Sequence, residues 1–289
     1  MKTNRRTFIA SSTASLALSG IGHAVSRPPR FRISVQQYSF NKQLRSGKLA
    51  LMDFPATVVK GTGIKHLEYF NGHMMEKAGN TKWFKALKKR CDDLGVTNEF
   101  MLCKTQAFID SPEADIRAKA VEELKPWMEA IKLLGGWGVR VDVKHPGDFE
   151  AQKKHAVNGL VTLSNVANTM GLDILVENHG GFSGNGLWVA DVMERVALKN
   201  CGTLPDFQNF KNYDPYKGVT EMMPYAKAVC AKAMTFDKKG NETQIDYGRM
   251  MQIVIASKFS GCIGIEFAGR DLAPIEGILA TKQLIQRYI

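Results

Sequence analysis

Short β-branched apolar runs alternate along this chain with longer segments of helical period, and no other feature restricts its fold so strongly. Parallel strands joined by helical crossovers produce that pattern, because each crossover returns the chain to the same end of a sheet. The runs fall at Phe31–Tyr38, Lys65–Tyr69, Thr97–Cys103, Gly138–Asp142, Asp173–Glu177, Gly202–Leu204, Val229–Met234 and Cys262–Glu266. Helical segments are expected at Thr81–Leu94, Ser111–Leu134, Phe149–Met170, Leu187–Val196, Asp246–Ser257 and Ile275–Ile289. Several open on Asp, Ser or Thr, whose side chains satisfy the first free amide groups of a helix. Eight such units predict an α/β fold, a (β/α)8 TIM barrel forming a single domain over residues 25–289, with an open doubly wound sheet as the alternative.

The composition agrees with one globular domain: 44% of residues are hydrophobic, 23% are charged, and no Pro-, Gly- or Ser-rich linker divides them. The start of the chain reads differently. Asn4-Arg5-Arg6-Thr7-Phe8-Ile9 precedes a small-residue apolar stretch to Ile21, followed by Gly22-His23-Ala24. Paired arginines before a weakly hydrophobic segment predict a twin-arginine export signal over residues 1–24, and so a periplasmic or otherwise exported protein. An ordinary secretory leader and a retained anchor are the alternatives. The stretch is too short and too rich in Ser, Thr and Gly for a stable membrane span of about 20 apolar residues.

Five widely spaced cysteines without a C-x-x-C pair indicate neither a disulfide framework nor a structural zinc site, so they are expected to be mostly buried free thiols. The formal net charge is +11. The densest basic cluster, Lys82, Lys85, Lys88, Lys89 and Arg90, has the spacing of an exposed helix face and no nucleic-acid motif around it, so no nucleic-acid partner is expected.

Barrel enzymes carry their chemistry at the carboxyl ends of the strands. There the chain places Glu177-Asn178-His179, Asp206 with Asn209 close behind, and Glu266. Each acid alone reads as a cap or an ion-pair partner, but three facing one another are costly unless a cation or shared protons relieve them. A divalent metal on Glu177, Asp206 and Glu266 is the economical solution, and an all-oxygen set with at most one nitrogen favours manganese, with magnesium, cobalt or zinc as alternatives. The loop Gly180–Gly186 lacks the Gly-Lys-Ser/Thr ending of a phosphate loop and reads as a turn.

The chain resembles the xylose isomerase-like barrels, the sugar phosphate isomerase/epimerase superfamily, over nearly all of its predicted mature length. The resemblance rests on Gln37-Tyr-Ser-Phe40, Glu68-Tyr-Phe-Asn71, Val176-Glu-Asn-His-Gly-Gly181, Gly202-Thr-Leu-Pro-Asp-Phe207 and Gly264-Ile-Glu-Phe-Ala-Gly269. It implies a metal held by Glu, Asp, His and Glu from strands five to eight, with the two glutamates also moving protons. Glu177, Asp206 and Glu266 match three of the four. Strand seven contains no histidine, and Lys232 stands at about its place. A protonated lysine has no lone pair to offer a metal, which leaves His179 or water to complete the set.

Lys232 is thereby expected either to neutralise an enolate-like intermediate or donate a proton, or simply to pair with Glu177 or Glu266. The predicted catalytic groups are Glu177, Glu266, Lys232 and His179, and the predicted substrate contacts are Asn209, Arg140, Tyr38, Glu68 and Arg270. The implied activity is metal-dependent proton abstraction beside a sugar carbonyl, an isomerase or epimerase working through an enediolate. A lyase that eliminates the aglycone from a 3-keto glycoside follows the same first step, and export favours it. A non-catalytic sugar-binding barrel is the alternative of another class. The expected partner is a small sugar or glycoside, and oligomeric state is left open.

Overall fold

A computed structural model describes residues 30–289. The predicted leader over residues 1–24 lies outside the described residues. Eight parallel strands, β1 (Phe31–Gln36), β2 (His66–Phe70), β3 (Thr97–Leu102), β4 (Gly138–Val141), β5 (Asp173–Glu177), β6 (Cys201–Leu204), β7 (Ala228–Ala233) and β8 (Gly261–Phe267), run in the order β6-β5-β4-β3-β2-β1-β8-β7. Pairing of β1 with β8 joins the first and last strands of the chain, and leaves β6 and β7 as the two edges of the sheet. The seam between β6 and β7 has only isolated bridges, Thr203 to Ala226 and Asp206 to Cys230. Pro205 explains the break: it has no amide hydrogen to continue a ladder, and its carbonyl instead accepts from Cys230 N at 2.9 Å. The result is a nearly closed TIM barrel, and the open-sheet alternative does not hold.

Helices clothe the outside: α1 (Asn41–Arg45), α2 (Phe54–Thr62), α3 (Thr81–Asp93), α4 (Ala114–Leu134), α5 (Phe149–Thr169), α6 (Gly186–Val196), α7 (Pro215–Met222), α8 (Tyr247–Ala256) and α9 (Pro274–Gln286). The short helices α2 and α7 were not legible in the sequence. Each starts with a proline in its first turn and contains a glycine, so propensity weakens the helical period that remains. The basic face of α3 is a paired, solvated surface, with Lys89 on Asp93 at 2.8 Å and Arg90 on Asp53 at 2.8 Å. Among the described residues no helix is long and apolar enough to cross a membrane.

Strand register sets which side chains look inward. Phe70, Leu102, Arg140 and Leu175 lie side by side across β2 to β5. Ser34, Gly264 and Cys230 do so across β1, β8 and β7. Because alternate residues share a face, Glu177, Glu266 and Lys232 follow two positions later at the carboxyl end. At the opposite end Glu99 closes the floor by accepting from His66 Nδ1 and Trp137 Nε1, both at 2.7 Å, and from Arg32 Nε at 3.4 Å.

Glu68, predicted as a substrate contact, sits between these ends, fully buried and one layer below the mouth. Its carboxylate accepts from Ser34 Oγ and leans on Gly264, where any Cβ would collide with it. Burial pushes its pKa up to about 8, with the Ser34 hydrogen bond opposing and the charges of Glu99 and Glu266 adding. A raised carboxylate pKa means that the folded chain binds the proton between the unfolded value and about 8, so stability falls as pH rises through that window. Chemical denaturation from pH 5 to pH 8 is expected to show that fall, with a ceiling of about 1.4 kcal/mol per pH unit for one proton. Glu68→Gln should reduce the slope by its own share. Gly264→Ala should cost on the order of 1–3 kcal/mol through overpacking.

Candidate functional site

Four neighbouring strands deliver the site. Glu177 is the last residue of β5 and Asp206 follows β6, and the two loops are locked together by Asn178. The Asn178 side chain donates to the Asp206 carbonyl at 3.0 Å and accepts from the Asp206 amide at 2.7 Å. Asp206 then turns the chain: its Oδ1 accepts from the amides of Gln208 at 2.7 Å and Asn209 at 3.0 Å, which leaves Oδ2 directed at the site. Opposite it, Cys230 and Lys232 project inward from β7 and Glu266 from β8.

The acids are held by a small set of polar partners. Glu177 Oε1 accepts from Asn209 Nδ2 at 2.9 Å, and its Oε2 meets the Arg140 guanidinium. Arg140 is shared with Asp142, 2.6 Å away. Glu266 Oε1 lies 2.8 Å from Lys232 Nζ, which also donates to Asn209 Oδ1 at 3.1 Å. Cys230 Sγ donates to Asp206 Oδ2 at 3.1 Å. Asn209 thus connects Glu177 to Lys232, and one ligating atom from each of Glu177, Asp206, Cys230 and Glu266 lies within 4.8 Å of the others.

The electrostatics are those of a centre short of positive charge. Three buried carboxylates face only Arg140 and Lys232, and Arg140 divides its charge with Asp142. Burial pushes the Glu177 carboxyl up to about 8; Arg140 opposes, while Asp206 and Glu266 add to the rise. The Cys230 thiol is pushed well above its ordinary value by burial and by the same carboxylates. Lys232 moves upward despite its burial, because Asp206 and Glu266 outweigh the loss of water. Glu177 Oε2 and Glu266 Oε1 are buried without a well-aligned hydrogen bond. A divalent cation would supply what such a cluster lacks, and the four potential donors suit one in number and spacing.

Several sequence expectations change here. Cys230, read as one more buried thiol, is a buried thiol and also a fourth potential donor beside the three predicted carboxylates. The clue was available: Lys232 at an inward position of a strand obliges residue 230 to point inward too. His179 lies outside this cluster, its Nδ1 3.4 Å from Asp142. Lys232 pairs with Glu266, not with Glu177.

The mouth above these groups is a cleft of about 80 Å3 lined by Tyr38, Phe70, Lys104, Arg140, His179 and Lys232, together with Glu177 and Glu266. Lys104 carried no recognisable signal in the sequence, whereas Phe70 lies within the Glu68–Asn71 motif, which does not mark it as a contact. Arg270 is absent from this cleft; it lines an adjoining cavity of about 400 Å3 between the loops after β1 and β8, and Tyr38 belongs to both. Asn209 meets the site through the carboxylates rather than from the cleft wall. Phe40 and Trp188 are core residues, and Phe182 packs on Trp188 and Phe149.

Comparison with solved structures gives the same barrel repeatedly. The IolI protein, in a structure titled with a binding zinc atom, matches with a TM-score of 0.73 at 15% identity, covering 89% of this chain and 99% of that one. D-psicose 3-epimerase from Clostridium cellulolyticum H10, solved with D-tagatose, matches with a TM-score of 0.70 at 13% identity, covering 89% and 99%. The 3-keto-D-glucoside 4-epimerase of E. coli matches with a TM-score of 0.65 at 13% identity, again covering 89% and 99%. No curated protein matches in sequence. The sequence profile of the xylose isomerase-like TIM barrel family matches residues 58–288, most of the chain and all strands from β2 to β8. The protein is therefore a member of the xylose isomerase-like TIM barrel family.

Proposed function

We propose that this chain is a divalent-metal-dependent sugar isomerase or epimerase that moves a proton beside a carbonyl group. The observation that carries this reading is the convergence of Glu177, Asp206 and Glu266 at the carboxyl ends of β5, β6 and β8 with Cys230 from within β7, their donor atoms within 4.8 Å of one another. The epimerases among the structural neighbours support the reaction class. These four residues would hold the ion, and a bound ion would polarise the sugar carbonyl and its neighbouring hydroxyl. The thiol favours zinc or cobalt, and manganese ahead of magnesium.

The chain's own groups divide the remaining work. Glu177 and Glu266 remove and return the proton, each oriented by a cation, Arg140 for the first and Lys232 for the second. Lys232 also offers positive charge to the oxygen of an enediolate. Asn209 fixes the relative placement of Glu177 and Lys232 through its two hydrogen bonds. Tyr38 and Phe70, edge to face at 5.6 Å between ring centres, give the sugar an apolar wall. Arg140 and His179 border the cleft as substrate contacts.

A second reading has its own support, because the adjoining 400 Å3 cavity shares Tyr38 with the cleft and leaves room for a second moiety of the substrate. On a 3-keto glycoside, loss of the C2 proton to a glutamate would form the C1–C2 double bond. The C1–O bond would break, and the departing oxygen would take a proton from Lys232. Incubation of the metal-loaded protein with D-fructose, D-psicose and a 3-keto-glucoside separates the branches: an exchanged ketose supports epimerisation, and an enone with free aglycone supports elimination. Turnover of none of them, with sugar binding intact, would favour a non-catalytic binding barrel.

Metal analysis of the purified protein is expected to find about one divalent ion per chain. Cys230→Ser should weaken zinc and cobalt binding more than magnesium binding. Glu177→Gln and Glu266→Gln should each lower kcat by roughly 10²–10⁴-fold, the range for loss of a positioned acid or base. For the leader, we propose twin-arginine export on the strength of Arg5 and Arg6. Replacing both by lysine should leave the protein in the cytoplasm on fractionation of a producing cell.

A further inference from the structure

The three acids of the cluster are unequally held. Glu177 has Asn209 and Arg140, and Asp206 has the amides of Gln208 and Asn209. Among the described residues Glu266 has Lys232 at 2.8 Å and the Cys230 thiol at 4.0 Å, the latter a long contact even for sulfur. Its Oε1 is buried without a well-aligned hydrogen bond. Gln36 stands beside it. Val35 pairs with Ile265 across β1 and β8, and Gln36 pairs with Glu68 across β1 and β2, so the register sets Gln36 between Glu266 and Glu68. Gln36 shares the inner face of β1 with Ser34, two residues earlier.

Gln36 is fully buried, yet neither its Nε2 nor its Oε1 has a well-aligned hydrogen bond, and the same holds for Glu68 Oε2. Leaving such atoms unmatched is costly, whereas one amide between two carboxyl groups can serve both, donating to one and accepting from the other. The chain around Gln36 is fixed on either side. Gln37 Oε1 accepts from the Phe70 amide at 3.0 Å, which ties the end of β1 to β2. Ser39 Oγ donates to the Ile265 carbonyl at 3.3 Å and accepts from the Phe267 amide at 3.0 Å, gripping the backbone before and after Glu266. Below, Glu68 is anchored by Ser34 and occupies the space that a Cβ at Gly264 would need. Burial pushes its pKa up to about 8, and the groups that modify the shift, Ser34, Glu99, Gln36 and Glu266, include no cation. A carboxyl group in that state has a proton to donate, which an ionised one lacks.

We propose that Gln36 is a positioning residue for Glu266: its Nε2 donates to the Glu266 carboxylate, its Oε1 accepts from the Glu68 carboxyl group, and Ser39 fixes the backbone on which Glu266 stands. The inference rests on the reading of the acidic cluster as a metal centre and deepens it by assigning the groups that aim one ligand from behind. The segment that ends β1 thereby has a task besides supplying Tyr38 to the cleft wall. Glu68, buried a layer below the mouth, serves as the neutral support of that amide.

Cobalt(II) binding to the metal-free protein, followed by its visible spectrum and by competition with a chelator, tests this without turnover. Gln36→Met keeps the volume and removes the amide, and it should weaken cobalt binding by roughly 10–100-fold, the range for loss of a group that orients a metal ligand, and alter the spectrum. Gln36→Asn, which draws the amide back by one methylene, should show the same loss and covers the case of a Met variant that does not fold. Glu68→Gln keeps a neutral donor and acceptor and should hold the wild-type affinity, whereas Glu68→Leu should fall with Gln36→Met. Unchanged affinity and spectrum in a folded Gln36 variant would overturn the proposal, as would equal losses in Glu68→Gln and Glu68→Leu. Infrared spectroscopy adds an arm that needs no metal. The difference between wild type and Glu68→Gln at neutral pH should show the carbonyl stretch of a protonated carboxyl group, and Gln36→Met should shift that band; a band left in place would overturn the link from Glu68 to Gln36. Ketose turnover with cobalt binding indifferent to Gln36 would sink this inference alone. The expected pattern of cobalt binding in a protein that turns over no sugar would sink the sugar-enzyme reading alone.

Discussion

Three carboxylates buried at the mouth of a barrel cannot share a low-dielectric space without compensation, and the architecture around them answers that constraint. Arg140 crosses from β4 to Glu177, Lys232 crosses from β7 to Glu266, and Asn209 joins the two pairs. Asn178 pins the β5 loop to the β6 loop so that Asp206 faces inward where the β6–β7 ladder breaks. The break is useful as well as permitted. Pro205 ends the strand, and the residue after it is free to turn its carboxylate toward Cys230.

The substitution of lysine for the expected strand-seven histidine has a consistent physical meaning in this setting. An ammonium cannot ligate, but it can neutralise Glu266 and carry a proton, and the thiol two residues earlier supplies a donor on the same face. A potential donor and a charge thus come from Cys230 and Lys232 separately. Below them the barrel interior packs Phe70, Phe100, Leu102, Leu175 and Leu204 together, with Glu68 buried beside Ser34 and Gly264 and Glu99 tied to Arg32, His66 and Trp137 at the far end.

Much of this was legible in the linear chain. Short β-branched apolar runs marked all eight strands, and the carboxylates Glu177, Asp206 and Glu266 stood out because each stands at or just after the end of such a run. Less was legible where sequence signals are weak or nonlocal. Helices α2 and α7 hide behind proline and glycine, Glu68 reads like a strand-end acid but lies a layer lower, and Arg270 opens on a different cavity from the one expected.

The sequence by itself determined the barrel class and the acidic trio, because both follow from periodicity and from the position of charged residues at strand ends. Only the tertiary structure decided the partners. Which cation meets which carboxylate, that Cys230 rather than His179 lies among the three clustered acids, and that Lys104 after β3 lines the cleft all depend on contacts between residues tens to over a hundred positions apart. Those contacts are set by strand register and by the closure of β1 on β8, which local propensity does not encode.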